Sequence, residues 1–270
     1  MGDVQTYVTY WKQPEDGSGP DSGDWKQLIV GHKHQGDRRD IVAHDVRGNE
    51  STYSLDKHGF EIHKLPTKER DHLNQEEVQK EYYQEIIDLI KKQTGGKDVT
   101  CFGNIVRQYK RDALTPEEFI PGQVQGPSPR VHVDVSPIDP ERLVGNMMPG
   151  KLDAMTKGSR WQFFSIWRPT KSVSRDPLAY ADSGSVPNSD YCDIVGPKYN
   201  GTILKCGDKR EHRWHYCSNM TPDEVVIVKH LDSKRDIPAW RCPHTSIPLP
   251  GTEDLPARES IEVRALVLFD

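Results

Sequence analysis

From Pro129 onward, apolar side chains recur at every second position or in short β-branched runs, which restricts this half of the chain to strands packed through one or both faces. Arg130-Val-His-Val-Asp-Val135 alternates strictly. Trp161 to Trp167 is aromatic and β-branched, Glu224 to Lys229 is a continuous apolar run, and Ser260 to Phe269 reads as one more strand. Shorter runs at Val4 to Trp11, Gln27 to Val30, Ile41 to Val46 and Ser51 to Leu55 are separated by Gly, Asp and Pro clusters, so the first seventy residues also read as strands and turns. One helix stands out, from Asn74 to Gln93. Asn74 is its N-cap, Glu76 and Glu77 lie in its first turn, and Lys91, Lys92 and Gly95 mark its end. Val78, Tyr82, Ile86, Leu89 and Ile90 form an apolar stripe suited to packing on a sheet. Pro14 to Asp24 and Lys171 to Asn200 read as loops, the second long enough to suggest a functional one. A mainly β protein with flanking helices is expected.

The formal net charge of -5 argues against a nucleic-acid or anionic-membrane surface, because phosphate binding needs clustered Lys and Arg. No run of 18 apolar residues occurs, and Met1 to Tyr10 lacks both a basic and an apolar leader region, so a soluble, cytoplasmic protein with a small-molecule partner is expected. The 5 cysteines (Cys101, Cys192, Cys206, Cys217, Cys242) show no CxxC spacing and suit reduced thiols. Sequons at Asn49, Asn200 and Asn219 carry no weight without secretion.

Strand alternation places Arg130, His132 and Asp134 on one face of their strand and three valines on the other. An imidazole and a carboxylate two residues apart, joined by an imidazole from a distant strand, make the facial triad of non-haem iron(II) sites, and Pro243-His244 supplies that second imidazole. Arg258 and Ser260 alternate on the final strand, so a guanidinium fork and a hydroxyl point together, as anchoring a 2-oxo acid requires. Arg264, further along the same face, is the second choice for that role. Taken singly, His244 also reads as a core histidine and Arg258 as an ion-pair partner of Glu259 or Glu262. A second HxD, His230-Leu-Asp232, is the rival metal site. It runs into a charged segment only twelve residues before His244 and otherwise reads as a solvated turn. His212-Arg-Trp-His215 reads as structural or substrate-contacting, since strand geometry sends its two imidazoles to opposite sides. Trp161, Trp167, Arg168 and Trp214 are candidate pocket walls, or else core aromatics beside a snorkelling Arg168.

Over residues 50 to 270 the sequence resembles the fungal asaB-type hydroxylase/desaturase family, to which gibberellin desaturase and the CmcJ-type component of cephamycin methoxylation are similar. The resemblance rests on Lys57-His-Gly-Phe60, His132-Val-Asp134, Trp167-Arg-Pro169, Asp176-Pro-Leu178, Asp182, Glu211-His-Arg-Trp214 with Tyr216, Thr221-Pro-Asp-Glu224, Pro243-His-Thr245 and Arg258-Glu-Ser-Ile-Glu-Val-Arg264. It implies a double-stranded β-helix, or jelly roll: a single domain over residues 1–270, with the oxygenase barrel from about 97 to 270 and the N-terminal strands and helix 74–93 packed on it. It also implies Fe(II), 2-oxoglutarate and O₂ as cofactor and cosubstrates, and hydroxylation or desaturation of a secondary metabolite. The segment between Asp134 and His244 is longer than in compact oxygenases of this kind, and a substrate lid is the expected use of the excess. Two other classes stand beside this reading: an auxiliary partner of another biosynthetic enzyme, and a redox-neutral cupin-like metalloenzyme. A second copy of the chain and another biosynthetic enzyme are the protein partners left open.

Overall fold

The computed structural model describes residues 2–20, 36–68, 71–109, 125–158, 160–196, 200–207 and 211–270. Two sheets face each other. The larger contains β1 (Val4–Trp11), β2 (Gly36–Asp45), β5 (His132–Val133), β7 (Leu178–Ala181), β8 (Tyr191–Val195), β9 (Asn200–Leu204), β10 (Trp214–Tyr216) and β12 (His244–Ser246), in spatial order β1-β2-β10-β7-β12-β5-β9-β8. The smaller contains β3 (Phe60–Lys64), β4 (Asp98–Arg107), β6 (Trp161–Pro169), β11 (Glu224–Asp232) and β13 (Ser260–Leu268), in the order β3-β11-β6-β13-β4. The chain crosses repeatedly between the layers, which is the jelly-roll arrangement. N-terminal strands β1 and β2 extend one edge of the larger sheet, and β3 forms an edge of the smaller.

Alternation decides what each sheet buries. Phe164, Ile166, Val225, Ile227, Ile261 and Val263 cover the outer face of the smaller sheet and take the helix that the sequence marks most clearly. That helix starts at Gln75–Glu77, passes through a π turn at Val78–Tyr82 and continues as α1 (Tyr83–Thr94). The Asn74 side chain accepts hydrogen bonds from the backbone of Glu76 and Glu77, and Gly95 closes the other end at φ 72. Ile86, Leu89 and Ile90 point into the cluster, as the stripe requires. Trp167, Tyr180, Val226 and Val228 lie in a cluster between the sheets. At one end, α2 (Pro140–Met147) and α3 (Leu152–Lys157) contribute Val144 and Met155 to a cluster with Phe163, Leu231 and Leu266.

Two sequence expectations need revision. Ser51 to Leu55 is not a strand. Glu50–Thr52 forms a 3₁₀ turn because the Thr52 backbone and hydroxyl both donate to the Asn49 carbonyl. Lys171 to Asn200 is not one continuous loop but contains β7 and β8. Small Ala179 and Ala181 pack on Val131 and Val133, leaving Tyr180 to face the other sheet. The run Gln27 to Val30 lies outside the described residues. Gly59, in the Lys57-to-Phe60 motif, has φ 90, and a β-carbon there would meet Cys242 Cβ and Ser183 Oγ at 2.6 Å, so the close approach of these segments requires glycine. All 5 cysteines are free thiols, and burial pushes Cys101 and Cys217 up to about 12. No described helix is long and apolar enough to cross a membrane.

Candidate metal centre and cosubstrate pocket

Adjacent short strands of the larger sheet bring two distant imidazoles side by side. His244 on β12 is in register with His132 on β5, and their ring centroids are 4.3 Å apart. Asp134 follows β5 by one residue, and its Oδ1 lies 3.2 Å from His132 Nε2 and 3.8 Å from His244 Nε2. All three donor atoms fall within 4.8 Å of one another. A divalent ion bound about 2.1 Å from each donor in a facial arrangement needs donors about 3 Å apart or slightly more, so the set fits.

The ring orientations follow from the backbone. His132 Nδ1 lies 2.7 Å from the Arg130 carbonyl and His244 Nδ1 lies 3.3 Å from the Cys242 carbonyl. A carbonyl can only accept, so each Nδ1 carries the proton and each Nε2 offers its lone pair to the site. Burial, followed by the neighbouring His132, holds the His244 pKa well below the ordinary value and keeps the ring neutral. Burial alone pushes the Asp134 carboxyl up, but the Arg264 guanidinium is the largest opposing influence, and the carboxyl is held well below its usual range. The two carboxylate oxygens face different groups: Oδ1 faces the two imidazoles, while Oδ2 accepts from Arg264 Nη2 at 2.9 Å and Nε at 3.1 Å.

Val131 and Val133 back the metal face as alternation predicts, but Val135 packs with Val144 and Phe163 because β5 ends at Val133. Arg130 is buried and donates to the Tyr10 carbonyl.

Across the interior, Arg258 precedes β13 and Ser260 opens it. Both are buried. Arg258 Nη1 donates to the Asp176 carbonyl at 2.8 Å, and its guanidinium lies 5.2 Å from the Trp167 ring centre. Ser260 Oγ, Tyr180 Oη and Trp167 Nε1 are buried and have no hydrogen-bond partner among the described residues. Each such buried polar atom forgoes about 1–3 kcal/mol unless a polar group meets it, and a carboxylate beside the guanidinium is a group that can accept from such donors. Tyr180 is in register with His244, so this pocket adjoins the metal row. Sequence reading missed Tyr180. Its one available signal was a large aromatic between two alanines in an alternating stretch.

The remaining candidates separate clearly. Arg264, the second choice for the 2-oxo acid, is engaged with Asp134 and lies 3.5 Å from Glu262. Trp167 faces the interior. Trp161 is half-buried and packs edge-on to Phe163 with ring centroids 5.6 Å apart. Arg168 and Trp214 point away from the site. As the neighbour of inward Trp167, Arg168 faces outward, where it donates to Tyr82 Oη at 2.9 Å and to the Leu65 carbonyl and so fastens the helix. Trp214 packs on the outer side of the larger sheet and donates to Tyr10 Oη at 3.1 Å. His212 lies between Tyr10 Oη and Asp190, whereas His215 faces Tyr53.

The rival HxD is no solvated turn. His230 and Asp232 are fully buried on β11, and twelve residues suffice to reach His244 because β12 belongs to the other sheet. Asp232 does not approach a metal position but accepts from Arg160 at 2.7 Å, Lys229 at 3.1 Å and Gln162 at 2.6 Å. Asp232→Ala should therefore lower unfolding free energy by about 3 kcal/mol in urea titrations, since it removes the buried carboxylate that Arg160, Gln162 and Lys229 share and leaves Lys229 only Asp56 among the described residues, while leaving Mn(II) affinity unchanged. Burial opposes ionisation of Asp232, but Arg160 and its other partners depress the pKa, so this stabilisation is present at neutral pH and fades as pH falls through the depressed value.

Known proteins match this chain along its whole length. The family model described as "Oxidoreductase/YMDC permease-like domain" matches residues 8–268. Hydroxylase/desaturase efuI of Hormonema carpetanum is 34% identical, over 99% of this chain and 95% of its own. Alpha-ketoglutarate-dependent dioxygenase phiK of a fungal species is 33% identical, over 100% and 97%. A solved structure of the iron and alpha-ketoglutarate-dependent endoperoxidase NvfI shares the fold with a TM-score of 0.80 at 23% identity, covering 99% of this chain and 98% of that one. With relatives that include asaB of Aspergillus flavus at 28% identity over 99% of this chain and 95% of its own, the chain belongs to the asaB-type hydroxylase/desaturase family of iron- and 2-oxoglutarate-dependent oxygenases.

Proposed function

We propose that His132, Asp134 and His244 hold iron(II), that Arg258 and Ser260 hold the far carboxylate of 2-oxoglutarate, and that the enzyme hydroxylates or desaturates a small natural product. The observation that carries this reading is the convergence, within 4.8 Å of one another, of two Nε2 lone pairs and one carboxylate oxygen on the interior side, with the buried Arg258 beside the facing sheet. When bound, the metal supplies oxygen activation coupled to decarboxylation of the 2-oxo acid. The chain's own residues do the positioning. Arg258 and Ser260 fix the cosubstrate at its far end, and Tyr180 Oη and Trp167 Nε1 can donate beside them. The Arg130 and Cys242 carbonyls hold the imidazole planes, and Trp167 with Val226 and Val228 keeps water from the interior. The 5 free thiols support a reducing, cytoplasmic location.

Purified protein supplied with Fe(II), 2-oxoglutarate and O₂ is expected to form succinate and CO₂, slowly without substrate and faster with it. Tight Mn(II) binding with no succinate would favour the redox-neutral metalloenzyme, and no metal binding would favour the auxiliary partner.

A further inference from the structure

We propose that His230 is a positioning residue that donates a hydrogen bond to the metal-chelating 2-oxo carboxylate end of 2-oxoglutarate. The proposal rests on the metal-site reading above and adds a residue on the opposite sheet. Between Lys229 and Leu231 the register of β11 against β6 shifts, which makes His230 the extra residue of a β-bulge. Leu231 packs with Phe163, while His230 lies with Nε2 3.6 Å from Asp134 Oδ2 and its ring centroid 5.2 Å from that of His244. Neighbouring residues thus both face the interior, which strict alternation forbids. His230 keeps the inward side that Val226 and Val228 take, and the bulge turns Leu231 inward beside it.

The imidazole is 1% exposed, and neither ring nitrogen has a hydrogen-bond partner among the described residues. An apolar side chain would fill this place without leaving polar atoms unsatisfied. Asp134 Oδ2 does not meet the need, because it already accepts two N–H groups from Arg264 and 3.6 Å is too long for a hydrogen bond. The neutral ring carries one N–H. It sits beside two of the three proposed ligands but does not belong to their mutually close set. The group it fits is therefore an anionic oxygen brought in by the cosubstrate at that centre. A donor there orients the chelate without adding a fourth protein ligand.

His230→Leu and His230→Gln test this, with Mn(II) affinity and 2-oxoglutarate affinity of the Mn(II)-loaded protein measured separately by calorimetry. Expected for His230→Leu is Mn(II) binding within about threefold of the parent and 2-oxoglutarate binding weakened about tenfold to hundredfold, the range for one hydrogen bond to a charged group. His230→Gln, which keeps an N–H donor, should recover most of the loss. Unchanged 2-oxoglutarate affinity with intact Mn(II) binding overturns the proposal in favour of packing alone. Lost Mn(II) binding in a folded variant overturns it in favour of direct ligation. A parent that binds neither Mn(II) nor 2-oxoglutarate overturns the metal-site reading and this proposal with it. Should His230→Leu not fold, ¹⁵N-histidine spectra of the Zn(II)-loaded parent decide: a His230 N–H resonance that shifts downfield on adding 2-oxoglutarate supports the bond, and one that stays put refutes it.

Discussion

Asp134→Ala is expected to lower Mn(II) affinity by at least about 100-fold and to remove 2-oxoglutarate turnover, read by calorimetry and by succinate formation. Altering groups that only support a ligand costs about 10- to 100-fold in metal affinity, so deleting a ligand should cost more. The loss is larger still because Asp134 is the one anion of the set. Without it, a divalent ion meets two neutral imidazoles and the Arg264 guanidinium that Oδ2 now neutralises. Asp134→Asn separates the two causes, since it keeps the side-chain volume and loses only the charge. Parent-like Mn(II) affinity in both variants would exclude Asp134 from the ligand set.

Arg258→Ala should weaken 2-oxoglutarate binding about 100- to 1000-fold with Mn(II) affinity unchanged, because a fork of two charge-assisted hydrogen bonds to a carboxylate is lost in a buried site. Arg258→Lys should rescue little, since an ammonium cannot reproduce the fork over the Trp167 ring. Arg264→Ala provides the contrast: it touches Asp134, so it should disturb the metal more than the cosubstrate. The reverse pattern, with Arg264 controlling 2-oxoglutarate and Arg258 silent, would exchange their roles. Removing Arg258 also leaves the Asp176 carbonyl without this donor, so a small drop in stability is expected and is measured separately.

Features encoded by a local period were readable from sequence. The helix behind Asn74 showed its cap, stripe and terminator. His132 and Asp134 followed from alternation, and Arg258-x-Ser260 from its place on the final strand. What escaped reading depended on contacts between distant segments. β5 is two residues long and exists because β12 and β9 flank it, and β10 is a three-residue strand held by β2 and β7. Tyr180 gained its position from a strand inside a stretch whose Pro, Gly and Ser content reads as loop. His230 was misread for another reason: alternation from Val226 and Val228 turns it inward, but the charged residues that follow hid that the strand continues, buried, to Asp232. Arg168 looked like a pocket charge, yet its neighbour Trp167 is the inward residue of that pair.

The bulge on β11 and Arg264 of β13 belong to one layer, with Arg258 just before that strand, while His132, Tyr180 and His244 belong to the other. Whatever fills the space between them therefore acts as mortar between two walls. Occupancy of the centre and cohesion of the sandwich become one linked quantity, so the loaded protein unfolds at higher temperature and its layers breathe apart less often than those of the unloaded chain.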